Sequence, residues 1–248
     1  MSNSELHSSW LTVNRRCNLR CKWCYAAGTN YNVGEEMSLE FAITLINLIK
    51  DLGINRTVII SGETTLWKPL FDFNDYCKQN NIATVLVTNG LKFASDKFYE
   101  EYNQHPCDSI ALSMKGANAN QYHQLTGLQN FKLVKKAFTR IVNMGTNLVN
   151  ITFNSCYQDI LVEMAKFAAD CGFTEIKIDF CTTTFSNGKA NKTFMVHPRN
   201  LASQIVTNLP KMQKYINVHF EMNQPFCIWP PNFIKDLTSD AHFFLCLK

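Results

Sequence analysis

Three of the ten cysteines fall within eight residues, Cys17-Asn-Leu-Arg-Cys21-Lys-Trp-Cys24, while Cys77, Cys107, Cys156, Cys171, Cys181, Cys227 and Cys246 are scattered. Random placement would give this C-x3-C-x2-C spacing about one time in fifty. Thiolates this close suit a soft metal centre. A structural zinc ion needs a fourth ligand, and the nearest candidates, His7 and Cys77, are distant in sequence. An iron–sulfur cube held by three cysteines, with one iron left open, fits the count better. Arg15, Arg16, Arg20 and Lys22 surround the triplet. Positive charge favours thiolate over thiol and helps hold an anionic cluster, although such charges also decorate ordinary solvated loops.

The rest of the composition frames this chemistry. A 248-residue chain with 46% hydrophobic and 18% charged residues is a packed globular protein. Its net charge of +4 is too small and too scattered to point to nucleic acid. No apolar run approaches the ~18 residues that span a bilayer. The opening MSNSELHSSW has neither the basic nor the apolar region of a secretory signal. The expected compartment is therefore cytoplasmic, where reductants keep thiols free.

The elements that must position the cysteines alternate. Strands are expected over 10–14, 57–60, 83–87, 109–113, 148–154 and 175–180. Helices are expected over 38–52, 70–80, 95–104, 129–144, 158–171 and 198–209. The first starts at the N-cap candidate Ser38 and stops at Gly53. Such alternation implies an α/β fold with a parallel sheet, either doubly wound or a full or partial barrel. Chemistry in these folds gathers at the C-terminal strand ends. There lie the cysteine loop, Ser61-Gly62-Glu63, Thr88-Asn89-Gly90, Ser113-Met-Lys115 and Asn154. Asn89 is read as shaping the turn before Gly90. Cys77, Cys107, Cys156 and Cys171 are read as buried, inert thiols, with Cys181 a weak candidate for the active site. One domain is expected through about residue 210, followed by an extension over 211–248 containing Pro225, Pro230 and Pro231.

The cysteine triplet directly after the first strand, followed by Tyr25, resembles the radical SAM enzymes. Ser61-Gly62-Glu63-Thr64-Thr65-Leu66 is similar to that family's Gly-Gly-Glu-Pro-Thr-Leu loop, with Ser61 and Thr64 departing from it. The resemblance implies a partial (β/α)6 TIM-like barrel over 1–210 with a short C-terminal extension. It implies that Cys17, Cys21 and Cys24 bind three irons of a [4Fe–4S] cluster whose fourth iron chelates S-adenosylmethionine. Ser61, Gly62 and Glu63 would face the methionine ammonium, with Glu63 its charge partner. Ser113, Lys115 and Asn154 would meet the ribose or carboxylate. Tyr25 and the backbone near Ile178 would border the adenine. A one-electron reductant such as flavodoxin or ferredoxin would drive the chemistry, with no nucleic-acid or membrane partner.

The tail, with Cys227 and Cys246, resembles the start of the SPASM or Twitch auxiliary-cluster extension, but two cysteines are too few for a second cluster. These features favour a peptide substrate undergoing post-translational modification. Ser113-Met-Lys-Gly-Ala, Tyr122 and Leu125-Thr-Gly127 are mildly reminiscent of the glycyl-radical activases, so an activase or a small-molecule tailoring enzyme is the alternative. A structural metal-binding protein is the reading outside enzymology.

Overall fold

The computed structural model describes residues 8–26, 34–182, 184–186, 189–221 and 228–230. His7, Cys227, Cys246 and most of the expected extension lie outside the described residues. The chain divides into two compact units. The first draws on Met1–Asn18, Asn30–Leu112 and Lys132–Thr146, and the second on Leu19–Thr29, Ser113–Phe131 and Asn147–Lys248.

The first unit carries strands β1 (Ser9–Thr12), β2 (Arg56–Ile60), β3 (Ala83–Thr88) and most of β4 (Ser109–Ser113), paired parallel in that order. Helices α1 (Leu39–Asp51), α2 (Leu70–Gln79) and α3 (Asp96–Gln104) form the crossovers. Two of these begin at a serine cap. The Ser38 hydroxyl accepts from the Phe41 amide at 3.2 Å in α1, and the Ser95 hydroxyl accepts from Phe98 at 3.5 Å in α3. Ala42, Ile46 and Ile49 of α1 are buried, but Leu52, placed on the same stripe by its spacing, lies 61% exposed beyond the helix end. Cys77 and Cys107 are buried here, and burial pushes both thiols up to about 12, as inert thiols require.

The second unit holds α4 (Ala119–Thr126), and α5 (Phe131–Asn143) belongs to the first unit except for Phe131. Strands β5 (Leu148–Phe153) and β6 (Glu175–Phe180) flank α6 (Leu161–Asp170). A short antiparallel hairpin, β7 (Thr184–Ser186) and β8 (Lys189–Asn191), precedes α7 (Pro198–Met212) and β9 (Asn217–Glu221). On β5 and β6 every second residue is buried: Val149, Ile151, Phe153, Ile176, Ile178 and Phe180. The alternate face of β6 and β9 is charged. Lys177 Nζ lies 2.5 Å from Glu221 Oε2 and 3.7 Å from Asp179 Oδ1. Burial, reinforced by the like charge of Glu221 and opposed by Lys177, pushes the Asp179 carboxyl up to about 6.

Among the described residues the strand order is β1-β2-β3-β4-β5-β6-β9, the α/β arrangement of a partial TIM-like barrel. Six strands are expected from the sequence; the described residues add the β7–β8 hairpin and, in the main sheet, β9 as a seventh strand. The last helix runs on to Met212, and β9 pairs with β6 from Glu175↔Asn217 to Asp179↔Glu221. The first residues of the expected extension thus continue the sheet.

Candidate functional site

Three strand-end segments of the first unit are locked together by backbone contacts. Val13 N–H donates to Ile60 O, extending the β1–β2 ladder by one step. Gly62 N–H then donates to Asn14 O at 3.1 Å, and Glu63 N–H to Arg16 O at 2.7 Å. The loop after β2 therefore lies flat against the segment that leads into Cys17. A Cβ at Gly62 would sit 2.4 Å from Arg16 O and 2.6 Å from Arg15 O, so only glycine permits this approach.

Glu63 is 2% exposed. Its Oε1 accepts from Thr65 N at 3.1 Å, Thr65 Oγ1 at 2.7 Å and Thr88 Oγ1 at 2.5 Å. Its Oε2 accepts from Asn89 N at 2.8 Å. Four donors match the roughly four lone-pair sites of a carboxylate. Glu63 thus ties the end of β3 to the start of the short 3-10 turn Thr64–Leu66, and its charge acts on its surroundings rather than through a spare lone pair.

The departures from the family loop form a pair. Ser61 Oγ lies 3.1 Å from Thr64 Oγ1, and Thr64 Oγ1 also reaches Ile59 O at 3.4 Å. With the Thr64 proton on Ile59 O, Ser61 is the donor. Arg16 donates to Glu36 Oε2 at 2.5 Å and to Leu66 O at 2.9 Å.

Asn89 does more than the turn read from sequence. Its Oδ1 accepts from Leu91 N at 3.1 Å, which is the turn-shaping role. Its Nδ2 donates to Asn18 Oδ1 at 2.8 Å and to Cys17 Sγ at 3.9 Å. The only sequence signal for this contact was its place at a strand end.

Cys21 and Cys24 belong to the second unit. Their loop turns through Cys24 N–H donating to Cys21 O, and it docks on α4 by two backbone bonds: Arg20 N–H to Thr126 O at 2.8 Å and Lys22 N–H to Leu125 O at 3.1 Å. Trp23 packs edge-on against the buried Tyr157, ring centroids 4.9 Å apart. Tyr122 of α4 is buried and its hydroxyl accepts from Lys115 N at 3.2 Å.

The remaining sequence-derived candidates are spread over the second unit. Ser113 and Lys115 are half-buried at the end of β4, and Tyr25 is 48% exposed. Ile178 is fully buried, its backbone flanked by β5 and β9. Asn154 is fully buried, and both ends of its amide serve the backbone: Oδ1 accepts from Cys156 N at 2.9 Å and Nδ2 donates to Thr152 O at 2.9 Å. Cys181 is half-buried with its thiol pKa raised by burial, which opposes activation as a nucleophile. Cys171 is buried as expected, but Cys156 is half-buried, because it sits in the 3-10 turn after β5 rather than in a helix.

Cys17, Cys21 and Cys24 are all half-buried and outside any disulfide. Among the described residues no three His, Cys, Asp or Glu side chains stand close enough together to hold a single metal ion. The donor set itself, three thiols in one loop with an amide N–H directed at one of them, suits an iron–sulfur cluster in its chemistry.

Comparison with known proteins agrees with this chemistry. The family model described as the radical SAM superfamily matches residues 11–181. A probable GTP 3',8-cyclase of Methanococcus maripaludis is 25% identical over 150 residues, covering 60% of this chain and 50% of that protein. The chain spans about half the length of the curated relatives it matches. Among solved structures, Streptococcus suis SuiB bound to S-adenosylmethionine superposes with a TM-score of 0.69 at 16% identity, covering 88% of this chain and 51% of that one. Native anSMEcpe with bound AdoMet and Kp18Cys peptide gives 0.65 at 15% identity, covering 86% and 64%. These two share the fold. With a family match across more than two thirds of its length, the chain belongs to the radical SAM superfamily, whose enzymes use a [4Fe–4S] cluster and S-adenosylmethionine.

Proposed function

We propose that this chain is a radical SAM enzyme acting on a peptide, with Cys17, Cys21 and Cys24 each holding one iron. When bound, the cluster and S-adenosylmethionine supply one-electron cleavage of a carbon–sulfur bond, giving methionine and a carbon radical that takes hydrogen from the substrate. The electron comes from a flavodoxin or ferredoxin type of reductant. The chain's own residues prepare this chemistry. Gly62 lets the loop after β2 lie against the Cys17 segment, and Glu63 sets a fixed negative charge beneath it. Ser61, Gly62 and Glu63 border the methionine moiety, and Ser113 and Lys115 offer polar groups for its carboxylate or the ribose. Tyr25 and the Ile178 backbone flank the adenine. Asn154, spent on the backbone, shapes the turn after β5 and orders that border from behind.

The observation that carries this reading is the clamp between the SGE loop and the residues leading into Cys17, in a chain whose residues 11–181 match the family. The peptide assignment is supported by likeness to SuiB, also solved with the precursor peptide SuiA, and to anSMEcpe, solved with a bound peptide. A second reading, a small-molecule substrate, is favoured by the curated relatives, which are named GTP 3',8-cyclases.

Anaerobic reconstitution tests the core. The wild type is expected to hold about four irons per chain and to release 5'-deoxyadenosine when reduced with dithionite. Cys17→Ala, Cys21→Ala and Cys24→Ala should each lose both properties, and retained cleavage in any of them overturns the ligand assignment. Mass spectrometry separates the substrates: a peptide encoded beside the gene should change mass and GTP should not. The reverse result selects the second reading.

A further inference from the structure

We propose that Asn89 is a positioning residue that raises the reduction potential of the cluster bound through Cys17, by donating an amide N–H to the Cys17 sulfur. This rests on the cluster reading given above.

The geometry fixes the orientation of the amide. Asn89 is 7% exposed, and its backbone N–H is held by Glu63 Oε2 at 2.8 Å. Its Oδ1 must face the Leu91 N–H, which has no lone pair to offer, so the side chain cannot be flipped without losing that bond. The NH2 group is left facing Asn18 Oδ1 at 2.8 Å and Cys17 Sγ at 3.9 Å. Gly90, the next residue, is left-handed at φ 81°, and a Cβ there would sit 2.7 Å from Leu112 Cδ1, so the turn has little room to move.

A donor to a ligating thiolate stabilises the more electron-rich state of the centre, and the reduced cluster carries one electron more than the oxidised one. The bond therefore favours reduction. One residue thus joins the Glu63 carboxylate, through its backbone N–H, to Cys17, through its side-chain amide.

The test is a redox titration of the anaerobically reconstituted chain without S-adenosylmethionine, using dithionite as the electron donor and the electron paramagnetic resonance of the reduced cluster as the readout. Asn89→Ala should lower the ratio of reduced to oxidised cluster at a fixed potential about three- to tenfold, where tenfold corresponds to about 59 mV for a one-electron couple. Asn18→Ala removes the neighbouring acceptor but leaves the N–H to sulfur in place, and its midpoint should stay near the wild type. Equal shifts in both variants, or none in Asn89→Ala at full iron content, overturn the proposal. Should Asn89→Ala hold no iron, the uncharged Asn89→Ser keeps a side-chain oxygen that can accept from the Leu91 N–H while removing the amide donor to sulfur. A lowered potential there supports the proposal, and an unchanged or higher one overturns it. Loss of iron from both variants, with circular dichroism unchanged, also overturns it and makes Asn89 a residue of cluster assembly. A wild type that takes up no cluster instead refutes the underlying functional reading.

Discussion

Gly62 offers the sharpest test of how the loop after β2 is held. In Gly62→Ala the new methyl group would meet Arg16 O at 2.4 Å and Arg15 O at 2.6 Å, both backbone atoms that cannot rotate away. Relief requires the loop to lift from the Cys17 segment, breaking Gly62 N–H to Asn14 O and Glu63 N–H to Arg16 O. At about 1 kcal/mol per bond, with about 1–3 kcal/mol for residual overpacking, the cost is about 3–5 kcal/mol. For a chain of this size that lowers the thermal midpoint by about 6–20 °C. Gly53→Ala is the control: its φ of 78° strains any side chain, but nothing lies within 4 Å of the added atom. Its cost should be only about 1–2 kcal/mol. Thermal unfolding followed by circular dichroism, at one pH and without added iron, measures both. A Gly62→Ala midpoint within about 2 °C of wild type, or a loss no larger than that of Gly53→Ala, would refute the clamp.

Two further outcomes are expected. Glu63→Gln places an NH2 group among four inward-pointing donors and should cost about 3 kcal/mol, seen as a lower urea midpoint at constant slope. An unchanged midpoint would mean the carboxylate does not brace the loop. Asp179 has a folded pKa raised from 3.8 to about 6, so its protonated form is favoured by folding, and that contribution is fully present below about pH 4 and lost as pH rises towards 6. Asp179→Asn, which resembles the protonated acid at every pH, should gain stability relative to wild type across that window and hold a constant advantage above it. A thermal-midpoint difference independent of pH would contradict this.

Much of the framework was legible because its period was strong. Val134, Ala137, Phe138 and Ile141 recur at helical spacing, and all four are buried in α5. The expected strands 109–113 and 175–180 match β4 and β6. The cysteine loop and the SGE loop were legible because few residue types serve at such spacing. What escaped did so for physical reasons. The α4 segment, ANQYHQLT, is mostly polar and forms around Asn118, whose side chain caps Gln121 N at 3.0 Å, and around buried Tyr122 and Leu125. Its two large apolar residues are too few to make a stripe. Strand β9 is five residues long and its burial is supplied by Phe220 alone, so local pattern gave it no weight beside the prolines that follow. The contact of Asn89 with Cys17 spans 72 positions and exists only once β1 and β3 flank β2.

The docking of the cysteine loop on α4 reaches beyond support. A helix leaves its last carbonyls without partners inside itself, and those of Leu125 and Thr126 are taken up by Lys22 and Arg20. The loop thus completes the capping that Gly127, whose N–H donates to His123 O, begins, on an eight-residue helix that is too short to persist alone in water. Neither can fray without the other, so loop and helix open as one cooperative unit. The stability of a small polar helix, about a hundred residues further along the chain, then governs how long the Cys21–Cys24 turn keeps its shape.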